Sequence, residues 1–324
     1  MSYDASAGSG LKGGQFAVGK FLAALILGIG VTSAHAQLSC DTSSDLKGSK
    51  QPAAFVVLEE LKGTVAMGGN NVCSGALVTF TGRTSFTPAL VLSAAHCSDR
   101  GKLQIPISNG SLAMLDAGEV FYHVSYRRPL TLDTGGMDEP RTCVEADEIV
   151  YGTMTGADIL LLRLTETYDQ IERRAGVKPL LVSQDTSFPA DMPLRMPSSY
   201  WQNDRACQVD AVVEKVKEHR WLWGPVLRLR LEDNTCSIPH GASGAPAIRK
   251  DTNEIIGVAG TANDATGVPC ELNNPCELDA DGSAQAARKE QPYVHFVHKF
   301  YTCLDAARNV DLDTPGCLLP RPQP

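Results

Sequence analysis

The sequence predicts an all-β protein folded as a barrel or a sandwich. Short apolar runs recur from residue 53 onward, and turn-forming residues separate them, which is the spacing typical of this class. A content of 43% hydrophobic and 20% charged residues is ordinary for a soluble globular protein, and no repeat of fixed period is visible. The early predicted strands are 55–58, 64–67, 75–80, 89–93, 103–107 and 120–124.

Length and charge limit the possible function classes. A chain of 324 residues has room for two domains, although β-barrel proteins of this size often form one structural unit. The net charge of −8 predicts no basic patch for a nucleic acid. We therefore expect no nucleic-acid partner.

Residues 1–36 are predicted to be an export signal rather than part of the fold. Lys12 and Lys20 precede an apolar run at 21–31, and a small-x-small pattern ends at Ala36, where we expect cleavage. The run is shorter than the about 20 residues that a membrane span needs, so we expect no stable membrane insertion after signal cleavage. The alternative is an uncleaved anchor. A cleaved signal would make the mature protein secreted or periplasmic.

The stretch 239–246, here called the serine loop, places a serine among small residues between two prolines. Ser243 is the candidate nucleophile, and Gly241 and Gly244 allow a tight turn and a close approach of substrate. If the backbone N–H groups of Gly241 and Ser243 converge, they form an oxyanion hole. Taken alone, the stretch is more typical of a Gly-rich turn.

Two upstream stretches supply possible partners for this serine. His96 follows an apolar strand and has Cys97 beside it, and Asp158 stands at the head of the apolar run 159–164, where it would be partly buried. Each has an ordinary interpretation, as a hydrogen-bonded histidine at a strand end and as a turn aspartate. Together with Ser243 they occur in the order His, Asp, Ser, which differs from the orders of subtilisin and the α/β-hydrolases.

On these residues the chain resembles the chymotrypsin/trypsin-like serine protease family. The resemblance implies two packed six-stranded antiparallel β-barrels with a C-terminal helix. It also implies a serine endopeptidase that hydrolyses peptide bonds of protein or peptide substrates through an acyl-enzyme, with no cofactor and no metal. His96 would be the general base, Asp158 would orient it and Ser243 would attack. The matching stretches are 73–78, 94–97, 157–162 and 241–246, within a resemblance that covers roughly residues 53–300.

The resemblance also predicts the domain organisation. Residues 53–324 would form one trypsin-like peptidase domain, preceded at 37–52 by a polar mobile arm or pro-segment. Its first barrel would span about 53–176 and its second about 199–300. Smaller predicted segments are a polar insertion on the first barrel's rim at 126–153, a helix-compatible stretch at 165–176, a proline-rich strap at 177–198 and the C-terminal helix at 292–308.

Ten cysteines follow the predicted cleavage point, and an even number in an exported chain favours disulfides. The resemblance implies a bridge between Cys73 and Cys97, and Cys207 and Cys236 flank two predicted strands that a bridge could join. The other six stay open. Candidate pairs are Cys270 with Cys276, Cys303 with Cys317 and Cys40 with Cys143, and the alternative is a zinc site of Cys270, Cys276, Cys303 and Cys317, which lacks the C-x2-C spacing.

Two departures from the family pattern bear on activation and specificity. Ala242 stands where the animal digestive enzymes carry an Asp that receives the freed N-terminus, so that activation switch is absent. Cys236, seven positions before Ser243, resembles instead the bacterial glutamyl-endopeptidase-like branch. In that branch a histidine helps to read acidic side chains, and the matching position here is roughly Ala259. Glutamate specificity is therefore unsupported.

The resemblance also predicts where a specificity pocket would lie. Ser237 occupies the position that carries a carboxylate in trypsin-like enzymes, and a hydroxyl cannot neutralise a buried cation. Asp233, which would favour a basic side chain, or His240, which would favour an acidic one, could still approach the pocket. We expect a small or medium uncharged residue before the scissile bond. The predicted lining is Ser237, Ile238, His240, Ala259, Gly260 and Thr261.

Parts of the sequence are also compatible with two other functions. A catalytically silent trypsin-fold binding protein is the rival class, but such proteins usually lack a triad residue and all three are present here. The acidic run 279–282 resembles part of a calcium loop, yet the position that should carry the final Glu is Arg288. We expect a solvated loop there.

Overall fold

A computed structural model of the protein describes residues 40, 58–68, 72–98, 114–136, 141–231, 236–265 and 267–323. The predicted signal at 1–36, the predicted strand at 103–107 and Asp233 lie outside these residues, as does the arm at 37–52 apart from Cys40. The described residues belong to one compact unit, Leu38–Pro324.

Six antiparallel strands form the first barrel: β1 (Thr64–Met67), β2 (Cys73–Thr79), β3 (Pro88–Ser93), β4 (Val120–Asp133), β5 (Arg141–Thr153) and β6 (Ile159–Thr167). Their order is β1-β4-β5-β6-β3-β2, and β2 pairs back with β1 to close the ring. A two-residue strand, β7 (Leu180–Leu181), adds to β2 in parallel and leads into the second barrel.

Strands β4 and β5 differ from the prediction of a rim insertion at 126–153. They pair from Val120 opposite Thr153 to Asp133 opposite Arg141, and the pair forms part of the barrel wall. Buried and more exposed positions alternate at 126–132 in β4 and at 143–148 in β5, as in a sheet with one buried face, and the end of β5 is buried throughout. The polar average composition of the stretch concealed this period-two pattern.

The rest of the chain adds β8 (Pro193–Ser198), β9 (Asn203–Val213), β10 (Val216–Glu218), β11 (Trp221–Trp223), β12 (Val226–Leu229), β13 (Pro246–Arg249), β14 (Ile255–Ala262), β15 (Cys276–Leu278), β16 (Ala284–Ala286) and β17 (Pro292–Phe296). Six of these strands close the second barrel in the order β12-β17-β14-β13-β8-β9. The predicted fold class of two six-stranded antiparallel barrels is therefore confirmed. Strand β8 lies within the segment predicted as the strap.

A small four-stranded sheet, β11-β10-β15-β16, was not predicted. Its β10–β11 hairpin docks on the first barrel through two buried tryptophans. Trp221 Nε1 donates to Leu115 O at 3.0 Å, and Trp223 Nε1 donates to Met154 O at 2.9 Å. Because both indole N–H groups are satisfied inside the protein, the hairpin is held in one position beside Asp158.

The helical content is small. Helix α1 (Tyr168–Ala175) begins at a capping box, in which Thr167 and Gln170 bond each other's backbone N–H, and it ends at Gly176 in the left-handed region. The predicted C-terminal helix is a six-residue 3₁₀ helix, His298–Cys303, because the start of its predicted span forms β17. Among the described residues, no helix combines the length and the apolar character needed to cross a bilayer.

The two barrels share a buried cluster that packs them together. Ala76, Val78 and Leu92 of the first barrel lie in one cluster with Ile248 and Val258 of the second. Burial of apolar area at about 25 cal/mol per Å² makes this contact a major source of stability.

All ten cysteines are described, and they form five disulfides: Cys40–Cys143, Cys73–Cys97, Cys207–Cys236, Cys270–Cys276 and Cys303–Cys317. The four cysteines of the zinc alternative are all used in two of these bridges, so their thiolates are not available as ligands. The acidic run at 279–282 forms the turn between β15 and β16.

We predict that opening the Cys73–Cys97 bridge destabilises the protein. Replacing both residues by alanine should lower the free energy of unfolding by about 3 kcal/mol, because the bridge closes a loop with a sequence separation of 24. Urea unfolding of the purified exported protein measures this change. Mass analysis without reductant should find no free thiol, and two or more free cysteines in active protein would contradict the five-bridge scheme.

Candidate active site

The three predicted triad residues come from three separate segments. His96 lies in a short 3₁₀ turn that follows β3, Asp158 directly precedes β6, and Ser243 lies in the serine loop before β13. Strand β3 pairs antiparallel with β6, with Ser93 opposite Leu160. The end of β3 and the start of β6 therefore lie side by side, which places His96 next to Asp158.

His96 and Asp158 form two contacts. The ring Nδ1 of His96 lies 2.5 Å from Asp158 Oδ2, and the backbone N–H of His96 donates to Asp158 Oδ1 at 3.0 Å. The Asp158 side chain is 1% exposed and that of His96 is 18% exposed. Because Nδ1 is engaged by the carboxylate, Nε2 is the ring nitrogen that would exchange a proton in the pocket.

Burial and charge act in opposite directions on this pair. Burial lowers the pKa of His96, but the charge and hydrogen bond of Asp158 raise it, so the net pKa lies above the usual 6.5. Burial raises the pKa of Asp158, but the charge and hydrogen bonds of His96 lower it by more, so the net pKa lies below 3.8. Both shifts favour an aspartate that remains ionised and stabilises an imidazolium.

The serine loop contacts the first barrel at Gly244. This residue has φ +78°, and a Cβ there would lie 2.1 Å from Ser93 Oγ and 2.3 Å from Ser74 O. The backbone N–H of Ser74 donates to Ser243 O at 2.8 Å. Only a glycine permits this approach. As a result, Ser243 lines the same pocket as His96 and Asp158.

The backbone N–H groups of Gly241 and Ser243 do not donate to any acceptor within the described part of the chain. The N–H of Ala242 between them is used, since it donates to Pro239 O at 2.9 Å and forms the turn. The loop can therefore offer two N–H groups to a ligand, which is the donor arrangement of an oxyanion hole.

Four of the six predicted specificity residues line the pocket: Ile238, His240, Gly260 and Thr261. Ala259 is instead buried in the core of the second barrel, and Ser237 is not part of the lining. The reason is a register shift between Ala259 and Thr261 against β17, which lets Gly260 and Thr261 both face the pocket.

His240 is an exposed member of the pocket rim, with its Nε2 2.9 Å from Asp264 Oδ2. Asp264 also lines the pocket and was not predicted.

Glu218 is a pocket residue that sequence reasoning missed. It lies at the end of β10, is 4% exposed, and accepts hydrogen bonds from Thr261 Oγ1 and from the backbone N–H of Asn273. Burial raises the pKa of Glu218, and its charge adds to the rise in the pKa of His96. The sequence signal for the hairpin that carries Glu218 was its alternating pattern, in which Val216, Glu218 and the two tryptophans occupy every second position of two short strands.

His295 on β17 is the second missed residue. It is fully buried, and within the described residues neither ring nitrogen has a hydrogen-bond partner. Its ring edge occupies the space beside Gly260, where an added Cβ would lie 2.1 Å from His295 Cδ2. Burial lowers the pKa of His295 to about 4, so the ring is neutral near pH 7 and forms an uncharged support behind the pocket wall.

One group of possible metal ligands lies close together among the described residues: Cys73, His96 and Cys97. The two sulfur atoms are joined to each other in a disulfide. A disulfide sulfur is not the thiolate that metal binding requires, so this group is not a metal site.

No protein-family model matches the chain, and no curated protein matches it. Similar solved structures include the MamO protease domain from Magnetospirillum magneticum, with 12% identity, a TM-score of 0.40, and coverage of 73% of this chain and 92% of that chain. The active form of the Rv3671c protease from M. tuberculosis has 11% identity, a TM-score of 0.43, and coverage of 82% and 86%.

A further similar structure is a Nocardiopsis protease, with 11% identity, a TM-score of 0.39, and coverage of 73% of this chain and 92% of that chain. All three neighbours are described as proteases. At such identities and TM-scores, the function of the chain has to be inferred from its own site.

We predict that kcat/KM rises with pH through a midpoint above 6.5, because His96 must be neutral to act as a base and its pKa is raised. Glu218→Gln removes a negative charge that raises this pKa, so the midpoint should move to lower pH. Glu172→Gln, in α1 and outside the pocket, is the matched control and should leave the midpoint unchanged. A pH profile of kcat/KM for each variant measures the effect, and an unchanged or higher midpoint in Glu218→Gln would contradict the coupling.

Proposed function

We propose that the protein is an exported serine endopeptidase. The observation that carries the proposal is one pocket in which His96 is bonded to a buried Asp158 and Ser243 lies in a loop with two unengaged N–H groups. Five disulfides fit an oxidising compartment and support a secreted or periplasmic location. The partners would be protein or peptide substrates, with no cofactor.

The placement of the three residues supports the following chemistry. Ser243 Oγ attacks the peptide carbonyl carbon while His96 Nε2 takes the hydroxyl proton, and the N–H groups of Gly241 and Ser243 stabilise the oxyanion. The C–N bond then breaks as His96 returns the proton to the leaving amine, which leaves an acyl-enzyme. A water molecule, activated by His96 in the same way, hydrolyses the ester and restores Ser243. Asp158 holds the imidazole tautomer and stabilises the imidazolium.

The supports for substrate preference are the residues that line the pocket. Ile238, Gly260 and Thr261 are uncharged, and the position of the trypsin-like carboxylate is held by Ser237. A cation there would meet no carboxylate at Ser237, and Glu218, the buried carboxylate of the same pocket, is already bonded by Thr261 and Asn273. Cys236 favours the glutamyl-endopeptidase-like branch, but Ala259 lies in the core and cannot read a carboxylate, so we propose a small or medium uncharged residue before the scissile bond.

We predict that the triad acts as a unit. Ser243→Ala, His96→Ala and the double variant should each lower kcat by a similar factor, on the order of 10⁴ to 10⁶. Steady-state hydrolysis of a peptide substrate measures this, with Ser283→Ala on the β15–β16 turn as a matched serine control of unchanged activity.

Mass mapping of a covalent active-site phosphonate should find the label on Ser243 alone. Near-wild-type proteolysis by Ser243→Ala would exclude the proposed mechanism. A wild-type protein that binds peptides but neither cleaves them nor reacts with the phosphonate would favour the catalytically silent binding protein.

We predict that a peptide library varied only at the residue before the scissile bond shows preference for small or medium uncharged side chains. Cleavage products identified by mass spectrometry measure this. A clear preference for Arg or Lys would show that the base of the pocket lies elsewhere, and a preference for Glu would restore the glutamyl-endopeptidase hypothesis.

A further inference from the structure

The oxyanion-hole donor of Gly241 belongs to the peptide group that joins it to His240. A trans peptide is planar, and its C=O and N–H point in opposite directions. Any contact that fixes the carbonyl oxygen of His240 therefore also fixes the direction of the Gly241 N–H. Whatever holds this peptide group therefore decides whether the oxyanion hole is formed, an inference that rests on the proposed function.

Trp201 supplies such a contact. Its indole Nε1 donates to His240 O at 2.9 Å. Trp201 lies in the turn between β8 and β9, and its backbone N–H is 3.3 Å from Ser198 Oγ, which accepts it. The ring stands edge-on to Tyr200, with ring centroids 5.3 Å apart. The indole is thus held by its own turn while it bonds the serine loop.

Ser74 holds the next peptide group of the loop. Its Oγ donates to Gly241 O at 3.0 Å and accepts the backbone N–H of Tyr200 at 3.3 Å. Its Oγ also lies 2.9 Å from Ser198 Oγ, which must be the donor in that pair because the Ser74 hydroxyl has only one proton. One donor and two acceptor positions are all used, so the orientation of the Ser74 hydroxyl is determined.

Tyr200 closes the remaining space beside the loop. Gly241 has φ +92°, and a Cβ added there would lie 2.3 Å from Tyr200 Cδ1. The aromatic ring therefore packs directly on the backbone of Gly241. Ala242, the next residue, is 3% exposed and has only a methyl group, so it offers no acceptor for a newly formed N-terminal ammonium.

We propose that Trp201 and Ser74 are positioning residues that hold the oxyanion hole preformed. Two consecutive carbonyls of the serine loop, those of His240 and Gly241, are bonded from outside the loop by these side chains. Release of His240 O would allow its peptide to rotate, which would turn the Gly241 N–H out of the hole. In the intact protein, the active conformation of the serine loop therefore depends on these two side chains and not on cleavage of the protein's N-terminus.

The test uses Trp201→Phe, which keeps an aromatic ring and removes the indole donor, together with Ser74→Ala and the double variant. Loss of one hydrogen bond that selects the active peptide orientation should lower kcat by about tenfold, while KM changes little. The fall in kcat should not exceed the ~10²–10³-fold that follows complete removal of one oxyanion-hole donor. Tyr301→Phe removes a hydroxyl that bonds Val182 O and Thr81, none of which lines the pocket, and is the matched control of unchanged kcat.

A second measurement does not depend on activity. Hydrogen–deuterium exchange of the segment 236–246 in the unliganded protein should be faster in Trp201→Phe than in wild type, with no change in β4 and β5. Unchanged exchange together with unchanged kcat would overturn the inference, and so would a loss carried by KM alone. If the wild-type protein hydrolyses no peptide while Trp201→Phe still exchanges faster than wild type, the proposed function is excluded. The inference that Trp201 holds the serine loop is still supported in that case.

A hole held by Trp201 and Ser74 should not depend on a new N-terminus. Protein that begins at Gln37 after a short additional tag should have the kcat of the untagged protein. Activity that appears only after a defined cut between Gln37 and Thr64 would overturn the inference, because the hole would then need a new N-terminus.

Discussion

The close approach at Gly244 is the constraint on which the candidate site depends. The absence of a side chain lets the serine loop of the second barrel lie against Ser93 and Ser74 of the first, and the Ser74 N–H bonds Ser243 O at 2.8 Å. Ser93 ends the strand that leads to His96. One backbone contact between the barrels therefore sets the position of the serine relative to the histidine, and the apolar cluster behind it keeps the barrels together.

The electrostatics of the pocket depend on what each carboxylate is bonded to. Asp158 bonds the ring and backbone of His96, and its pKa is lowered. Burial raises the pKa of Glu218, whose bonds come from a threonine hydroxyl and a backbone N–H, both neutral donors. The pKa values of these two acidic side chains are thus shifted in opposite directions within one pocket. Asp158 stays ionised as the partner of His96, and Glu218 gains a proton more easily.

Much of the pocket is formed by segments that lie outside the strands of the two barrels. The β10–β11 hairpin contributes Glu218 and two tryptophans, and Trp201, in the turn between β8 and β9, bonds the serine loop from outside the pocket lining. Loops and insertions carry most of the residues that distinguish one member of a fold from another, while the barrels hold them in register. This division explains why the pocket of the chain has its own composition although the architecture is common.

The sequence by itself determined the all-β class, the order His96, Asp158 and Ser243, and the glycines of the serine loop, because each of these signals is local. It did not determine the roles of Glu218, His295 and Trp201. Those roles arise from strand register, from the shift between Ala259 and Thr261, and from docking of a separate hairpin. Residues tens to more than a hundred positions apart meet only when the barrels close, so their contacts and the burial that shifts their pKa values exist only in the tertiary structure.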